Sequence, residues 1–218
     1  MNTYLSRFDA MADKAAAQVI AQYSTSFSLA VRTLPKPERT HIRNLYAVVR
    51  IADEIVDGTT AQANECPETA LELYEEQVLH APHHRFHTDP VLHAWARTFR
   101  ECRLNEDHVR AFFASMRADL TQTTFTREEL DTYIYGSAEV IGLMCLDIFL
   151  RGRDTPHRRE LEDGARALGS AFQKVNFLRD LGEDSRALGR AYFNAPLDDA
   201  LLAERISQVR DSGVTVAV

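Results

Sequence analysis

The sequence predicts an all-α fold, organised as a single domain over residues 1–218. Three observations carry this: apolar residues recur at spacings of three and four, strand-like alternation is scarce, and no long Gly/Ser/Pro linker divides the chain. With 45% hydrophobic and 26% charged residues, a chain of this length can bury a sizeable core.

Taken in order, the periodicity predicts helices over 8–22, 38–57, 67–80, 90–101, 107–120, 127–150, 158–184 and 198–210. The first stretch carries Arg7, Asp9 and Asp13, so it lacks the uninterrupted apolar core of a signal peptide. Pro35 and Pro37 separate the second helix from what precedes it. His80, His83, His84 and His87 look like a metal cluster, but Pro82 breaks their helical register and no cysteine accompanies them, so a solvated loop is expected. Thr126 with Glu129 forms a capping-box signature at the start of the sixth helix. The most apolar run, Val140–Leu150, is too short to span a bilayer and contains Asp147. Gly164 and Gly169 lack the Lys-Ser/Thr that would complete a phosphate-binding loop.

The formal net charge of −7 argues against a nucleic-acid partner, because affinity for a phosphate backbone rests on clustered Lys and Arg. Cys66, Cys102 and Cys145 are odd in number and form no Cys-x-x-Cys pair, which fits a reducing cytoplasm better than a disulfide framework.

Three Asp-x-x-x-Asp pairs occur where chance predicts roughly one. Asp9/Asp13 reads as the chance pair on a solvated face. The other two have informative surroundings. At about 100° per residue, Tyr46, Arg50, Asp53 and Asp57 share one helical strip beside Ile42, Leu45, Val49 and Val56. Gln173, Asn176, Asp180 and Asp184 form a second strip beside Leu161, Ala165, Leu168, Phe172 and Val175. A polar strip bordering the apolar one is expected to line an internal cavity. Like charges four apart on a helix cost about 0.2–0.5 kcal/mol, which a bound cation would reverse. Mg²⁺, commonly held by one or two carboxylates plus substrate phosphates, suits two such motifs, and Arg50 and Arg179 could clamp phosphate oxygens. The competing reading is a pair of surface ion-pair networks, Arg50 with Glu54 and Arg179 with Glu183.

The strings Arg50-Ile-Ala-Asp-Glu-Ile-Val-Asp57 and Gln173-Lys-Val-Asn-Phe-Leu-Arg-Asp-Leu-Gly-Glu-Asp184 resemble the two aspartate-rich signatures of the squalene/phytoene synthase family, in order and in separation. Met116-Arg-Ala-Asp-Leu120, Tyr135-Gly-Ser-Ala-Glu-Val-Ile-Gly-Leu-Met144, Tyr23-Ser-Thr-Ser-Phe27 and Gly189-Arg-Ala-Tyr192 resemble further family segments. The resemblance implies an isoprenoid synthase-type helical bundle around a central cavity, which joins two prenyl diphosphates head to head through a cyclopropylcarbinyl diphosphate. It implies that Asp53, Asp57, Asp180 and Asp184, with Asn176, bind Mg²⁺ (Mn²⁺ being an alternative), and that Arg50, Gln173, Asn176 and Arg179 position diphosphate. Ser24 and Ser26 would donate to diphosphate, with local helix capping as the alternative; Phe27, Tyr46 and Tyr135 would line the cavity, with core packing as theirs. Asp119 resembles a family aspartate near the site, against an exposed helix-end charge. Gly136, Ser137, Ala138 and Gly142 are read as scaffold.

The leading reaction is condensation of two geranylgeranyl diphosphates to phytoene, with no NADPH. Alternatives are a farnesyl diphosphate-using dehydrosqualene or squalene synthase, and a non-catalytic assembly or binding protein of the same fold. Lipid substrates make peripheral membrane contact an expectation beside a cytoplasmic location. Two departures stand out. Glu139 replaces a small residue and could repel diphosphate. Family members usually continue with several more helices where this chain ends in Asp211-Ser-Gly-Val-Thr-Val-Ala-Val218, so the last helices are expected to be missing.

Overall fold

The computed structural model describes residues 3–122 and 124–187, with side chains as far as Phe177. The helix expected over 198–210 lies outside these residues. The elements are α1 (Tyr4–Tyr23), α2 (Thr25–Arg32), α3 (Lys36–Val56), α4 (Thr59–Gln62), α5 (Pro67–His80), a 3₁₀ turn (Ala81–His83), α6 (Pro90–Cys102), α7 (Glu106–Thr121), α8 (Arg127–Ile134), a π-helical turn (Tyr135–Glu139), α9 (Val140–Leu150) and α10 (Arg158–Ala187). Among the described residues no strand forms.

The described residues fall into two compact units: 3–106 with 147–154, and 107–122, 124–146 and 155–187. In the first unit α3 packs against α1, α6 and α5. Its buried face is Ile42, Leu45, Val48 and Ala52, whereas Val49 and Val56, expected in the core stripe, are only half-buried. The wide apolar stripe of α3 is centred on the i, i+3, i+7, i+10 positions Leu45, Val48, Ala52 and Ile55, one residue round from the expected line.

A polar seam fixes this packing. Asn44 is fully buried; its amide donates to Thr98 Oγ1 at 3.0 Å and to Asp13 Oδ1 at 3.2 Å. Asp13 also pairs with Arg97, and Asp9 Oδ1 lies 2.7 Å from Nε2 of buried His93. Asp9 and Asp13 are therefore not a solvated chance pair but the carboxylates that tie α1 to α3 and α6. Their i, i+4 spacing, taken alone, looks the same in either role. Trp95 packs between α5 and α6 with its indole N–H on the Val78 carbonyl at 3.0 Å.

In the second unit the capping box forms as expected: Thr126 Oγ1 accepts from the Glu129 amide at 3.3 Å and Glu129 returns the bond to the Thr126 amide at 2.7 Å. The helix expected over 127–150 is continuous but passes through the π-helical turn at Tyr135-Gly-Ser-Ala-Glu139. The joined run Arg127–Leu150, 24 residues, is long and apolar enough to cross a membrane by length and composition, a criterion that a core helix also meets; 44% of its most apolar window is buried. The helix that carries Val140–Leu150 is thus longer than that run alone.

Close approach explains the glycine at the crossing of α10 with the π turn. A Cβ on Gly169 would lie 2.5 Å from the Ala138 carbonyl oxygen, and one on Gly142 2.4 Å from that of Ala165. The contact line of α10 is thus Ala165 and Gly169, and helical spacings of four and then three carry the same face on to Gln173 and Asn176. The stripe expected to be buried beside it is not: Leu161, Leu168 and Phe172 remain 40%, 43% and 56% exposed, while Ala171 and Phe177 are buried. Small residues let α10 approach by its backbone, so its larger apolar side chains are turned outward.

Candidate active site

The first aspartate motif closes α3. Asp53 lies in its last turn and Asp57 is the C-cap, where the Asp57 amide bonds to the Asp53 carbonyl at 2.8 Å and Gly58 follows with φ of +118°, a conformation that glycine adopts without strain. Asp53, Glu54 and Asp57 thus cluster at the negative end of the helix dipole, and no basic residue occupies that last turn. Carboxylates belong at the opposite end; each costs roughly 0.3–1 kcal/mol here.

Arg50, one turn earlier, is the local counter-charge. It pairs with Glu54, and its guanidinium lies 3.8 Å from Asp53 Oδ2 and 3.6 Å from Asp57 Oδ2. The Arg50–Glu54 pair offered as the alternative to a metal site does form, yet the same guanidinium also spans both motif aspartates. Partial burial pulls the Arg50 pKa down, but the Glu54 hydrogen bond and the three carboxylates outweigh it, so the net direction is upward. Glu54 is held below the usual carboxylate range, chiefly by the Thr59 hydroxyl at 2.5 Å and then by Arg50.

The Tyr23-Ser-Thr-Ser-Phe27 segment folds against this corner. Ser24 ends α1 and caps α2, its hydroxyl accepting from the Phe27 amide at 3.2 Å, so the capping role is real. Its side chain also hydrogen-bonds Tyr46, whose hydroxyl is pushed up in pKa, first by burial, and so stays protonated at neutral pH. Phe27 stacks on Tyr46 with ring centroids 5.5 Å apart, and Phe27 is 43% exposed, a packed pair with an open face rather than core filling. Ser26 is exposed. The structure therefore brings together Ser24, Phe27, Tyr46, Arg50, Asp53 and Asp57. Sequence reasoning missed Tyr23, over whose ring Arg50 sits at 4.6 Å and which hydrogen-bonds Glu54. The signal was present in the quoted segment, but an aromatic partner for Arg50 from another helix has no spacing rule.

In the second unit, Gln173 and Asn176 are half-buried on α10. Arg179, Asp180 and Asp184 fall within the α10 backbone, but their side chains lie outside the described residues. What anchors this helix is visible: Phe177 stacks on Tyr133 at 6.2 Å within a cluster that includes Phe125, Leu130 and Ile134. The Tyr133 hydroxyl donates to Asp119 Oδ2 at 3.1 Å. Asp119 is half-buried and bonded, rather than an exposed helix-end charge. Glu139 does not present a free carboxylate: Arg166 pairs with it at 2.8 Å and also lies over the ring of half-buried Tyr135 at 5.4 Å.

The donor set at the α3 corner fits a hard divalent cation. Two aspartate carboxylates share one helix face, 31% and 41% exposed, leaving room for waters and substrate oxygens. Among the described residues no group of three or more His, Cys, Asp or Glu side chains assembles a metal site. Within the histidine-rich loop, His87 Nε2 lies 2.9 Å from the Ala81 carbonyl.

Comparison with known proteins adds to this geometry. The sequence profile described as squalene/phytoene synthase matches residues 20–203. The chain is 34% identical over 196 residues to a phytoene synthase of Arthrospira platensis, covering 85% of this chain and 61% of that protein. It is 36% identical over 194 residues to a 15-cis-phytoene synthase of Synechocystis, covering 84% and 55%. The chain therefore spans little more than half the length of these curated relatives. Among solved structures, a dehydrosqualene synthase determined with a ligand matches with a TM-score of 0.76 at 25% identity, covering 96% of this chain and 76% of that one. A squalene synthase of Alicyclobacillus acidocaldarius shares the fold, with a TM-score of 0.77 at 24% identity, covering 94% and 81%. The chain belongs to the squalene/phytoene synthase family, and its fold is the all-α isoprenoid-synthase type.

Proposed function

From its place in the squalene/phytoene synthase family, we propose that this chain carries the diphosphate-binding machinery of a prenyltransferase that condenses two geranylgeranyl diphosphates head to head to phytoene, with Mg²⁺ and without NADPH. The single observation that carries the reading is the crowding of Asp53, Glu54 and Asp57 at the negative end of α3 around one arginine. Three carboxylates against one guanidinium leave an excess negative charge, an arrangement that costs stability and that a divalent cation would offset.

In this reading Asp53 and Asp57 on α3 would be Mg²⁺ ligands, and the second signature's Asn176, Asp180 and Asp184 on α10 would have a metal-binding role of their own. Mg²⁺, when bound, offsets the charge that develops on the departing diphosphate. Arg50 exchanges a motif carboxylate for a diphosphate oxygen, a bidentate contact that guanidinium geometry favours, and Gln173 and Arg179 are read as diphosphate-positioning residues of α10. Ser24 and Ser26 supply hydroxyl donors. The open face of the Phe27–Tyr46 pair offers ring quadrupoles to an allylic cation while excluding water, and Tyr135 is read as a lining aromatic of its own unit. Because Tyr46 stays a neutral phenol, it supports the cation by its face and does not trap it as a phenolate nucleophile. A cytoplasmic enzyme touching the membrane surface fits lipid substrates of this length.

Likeness to a dehydrosqualene synthase structure supports the farnesyl diphosphate-using alternative. Product identity decides between them. The 218-residue chain, incubated with each diphosphate and Mg²⁺ and no reductant, should yield phytoene from geranylgeranyl diphosphate. Hydrocarbon from farnesyl diphosphate alone would transfer the assignment to the alternative, and no hydrocarbon from a folded sample would favour the non-catalytic reading.

A further inference from the structure

Three elements of the first unit converge on Glu54, the carboxylate that stands between the two motif aspartates in sequence. Its Oε1 accepts from the Arg50 guanidinium, one turn back on α3. Its Oε2 accepts from the Thr59 hydroxyl at 2.5 Å, because Gly58, with φ of +118°, turns the chain so that the start of α4 meets the end of α3. The Tyr23 hydroxyl, at the end of α1, supplies a further hydrogen bond. Both Glu54 oxygens are thus engaged by donors of this chain. The side chain is 23% exposed, less than Asp53 at 31% or Asp57 at 41%.

The consequence falls on Arg50. Its close contact goes to Glu54, whereas Asp53 Oδ2 and Asp57 Oδ2 stand 3.8 and 3.6 Å from the guanidinium, beyond hydrogen-bond length. The Tyr23 ring, 4.6 Å from the guanidinium carbon, holds it a second way. A guanidinium without these holds would close on the aspartates in charge-assisted bonds of about 2.7–2.9 Å and neutralise the charge that a cation needs. Arg50 Nε is buried and makes no hydrogen bond among the described residues, so one donor is left over for an incoming oxyanion.

We infer that Glu54 is a positioning residue: anchored by Thr59 and Tyr23, it draws the Arg50 guanidinium away from Asp53 and Asp57 and keeps it from competing with a divalent cation for those carboxylates. The inference rests on the reading of Asp53 and Asp57 as metal ligands, and it gives Glu54 no contact with the metal. The effect of Glu54 on metal affinity therefore runs through Arg50 and disappears when Arg50 is removed.

A double-mutant cycle on the full chain tests this, read as Mn²⁺ affinity from the electron paramagnetic resonance signal of the free ion, with no substrate present. Glu54→Gln should weaken Mn²⁺ binding by about tenfold. Glu54→Asp keeps the charge but is too short to span Arg50 and Thr59, and should weaken binding as much. Arg50→Gln should tighten binding, and adding Glu54→Gln to it should change the affinity by less than about threefold, the remaining field of one screened carboxylate. An equal loss with and without Arg50 would make Glu54 act on the metal directly and overturn the inference, as would wild-type affinity in either Glu54 variant. Binding that depends on Asp53 but not on Glu54 removes the inference alone. Absence of binding, or binding that Asp53→Asn leaves unchanged, removes the metal reading and the inference with it.

Discussion

The two helices that carry the aspartate signatures are held by different means. The motif of α3 stands on a conventional core, with Leu45, Val48 and Ala52 buried against neighbouring helices and Asn44 bonded beneath them. Among the described residues, α10 is held by backbone proximity at Gly169 and Ala165, by the Arg166–Glu139 pair and by Phe177 stacked on Tyr133. The first arrangement tolerates strain at its functional end because many contacts share the load. The second depends on a close backbone approach to the π-helical turn, which leaves no room for added volume. Mutations at the two places should therefore separate chemistry from support.

The largest expected effect is on turnover at α3. Asp53→Asn should lower the rate by more than ~100-fold, since changing even residues behind the ligands of a metal site costs about 10–100-fold, while helix content is unchanged. Asp180→Asn should do the same from the other signature. Unchanged steady-state rates in either variant would remove that residue from its role. On the support side, Gly169→Ala places a methyl group against the Ala138 backbone, where no flexible side chain can give way. Urea unfolding should show a loss on the order of 1–3 kcal/mol, and an unchanged midpoint would mean that α10 can ride outward at no cost.

A smaller effect is expected at Tyr133→Phe, which removes the donor to Asp119 but keeps the ring beneath Phe177. About 1 kcal/mol of stability should go, with catalysis falling only as far as α10 loosens; a change of under a few tenths would show the bond to be unimportant. The smallest concerns pH. Burial, with Arg151 and Arg97 adding to it against Glu101 and Asp13, holds His41 below its usual 6.5. A neutral imidazole is thus favoured in the folded chain, so this contribution is complete above pH 6.5 and is lost as pH falls through the folded-state value. Chemical denaturation between pH 7.5 and 5 should show a shallower acid slope for His41→Gln than for the wild type. Parallel slopes would exclude His41 as a contributor.

Most long helices were legible from apolar spacing, and Pro67–His80 agrees with the structure to the residue, because a proline start and a proline-interrupted end bound it. Two α-helices were missed: α4, a single turn, and α2, eight residues of mostly small side chains whose helix rests on the Ser24 cap rather than on periodicity. The π turn was invisible because its extra residue changes the hydrogen-bond register without changing composition. At the site, the strip Tyr46, Arg50, Asp53, Asp57 was readable because one helix carries it. The contributions of Tyr23 and of the Asp119–Tyr133–Phe177 chain were not, since they join separate helices through contacts that spacing along the chain does not encode. The exposed Leu161, Leu168 and Phe172 have the same lesson: apolar periodicity identifies a helix, but the choice of buried face at a close crossing belongs to the glycine.

The central claim, that the α3 corner holds diphosphate through a divalent cation, is tested most directly by binding. Titration of a non-ionisable geranylgeranyl thiodiphosphate analogue into the wild-type chain should give an affinity that appears with Mg²⁺, disappears with EDTA, and is lost in Asp53→Asn. Equal affinity without Mg²⁺, or equal affinity in Asp53→Asn, would contradict the claim and leave Asp53 and Asp57 as partners of Arg50 alone.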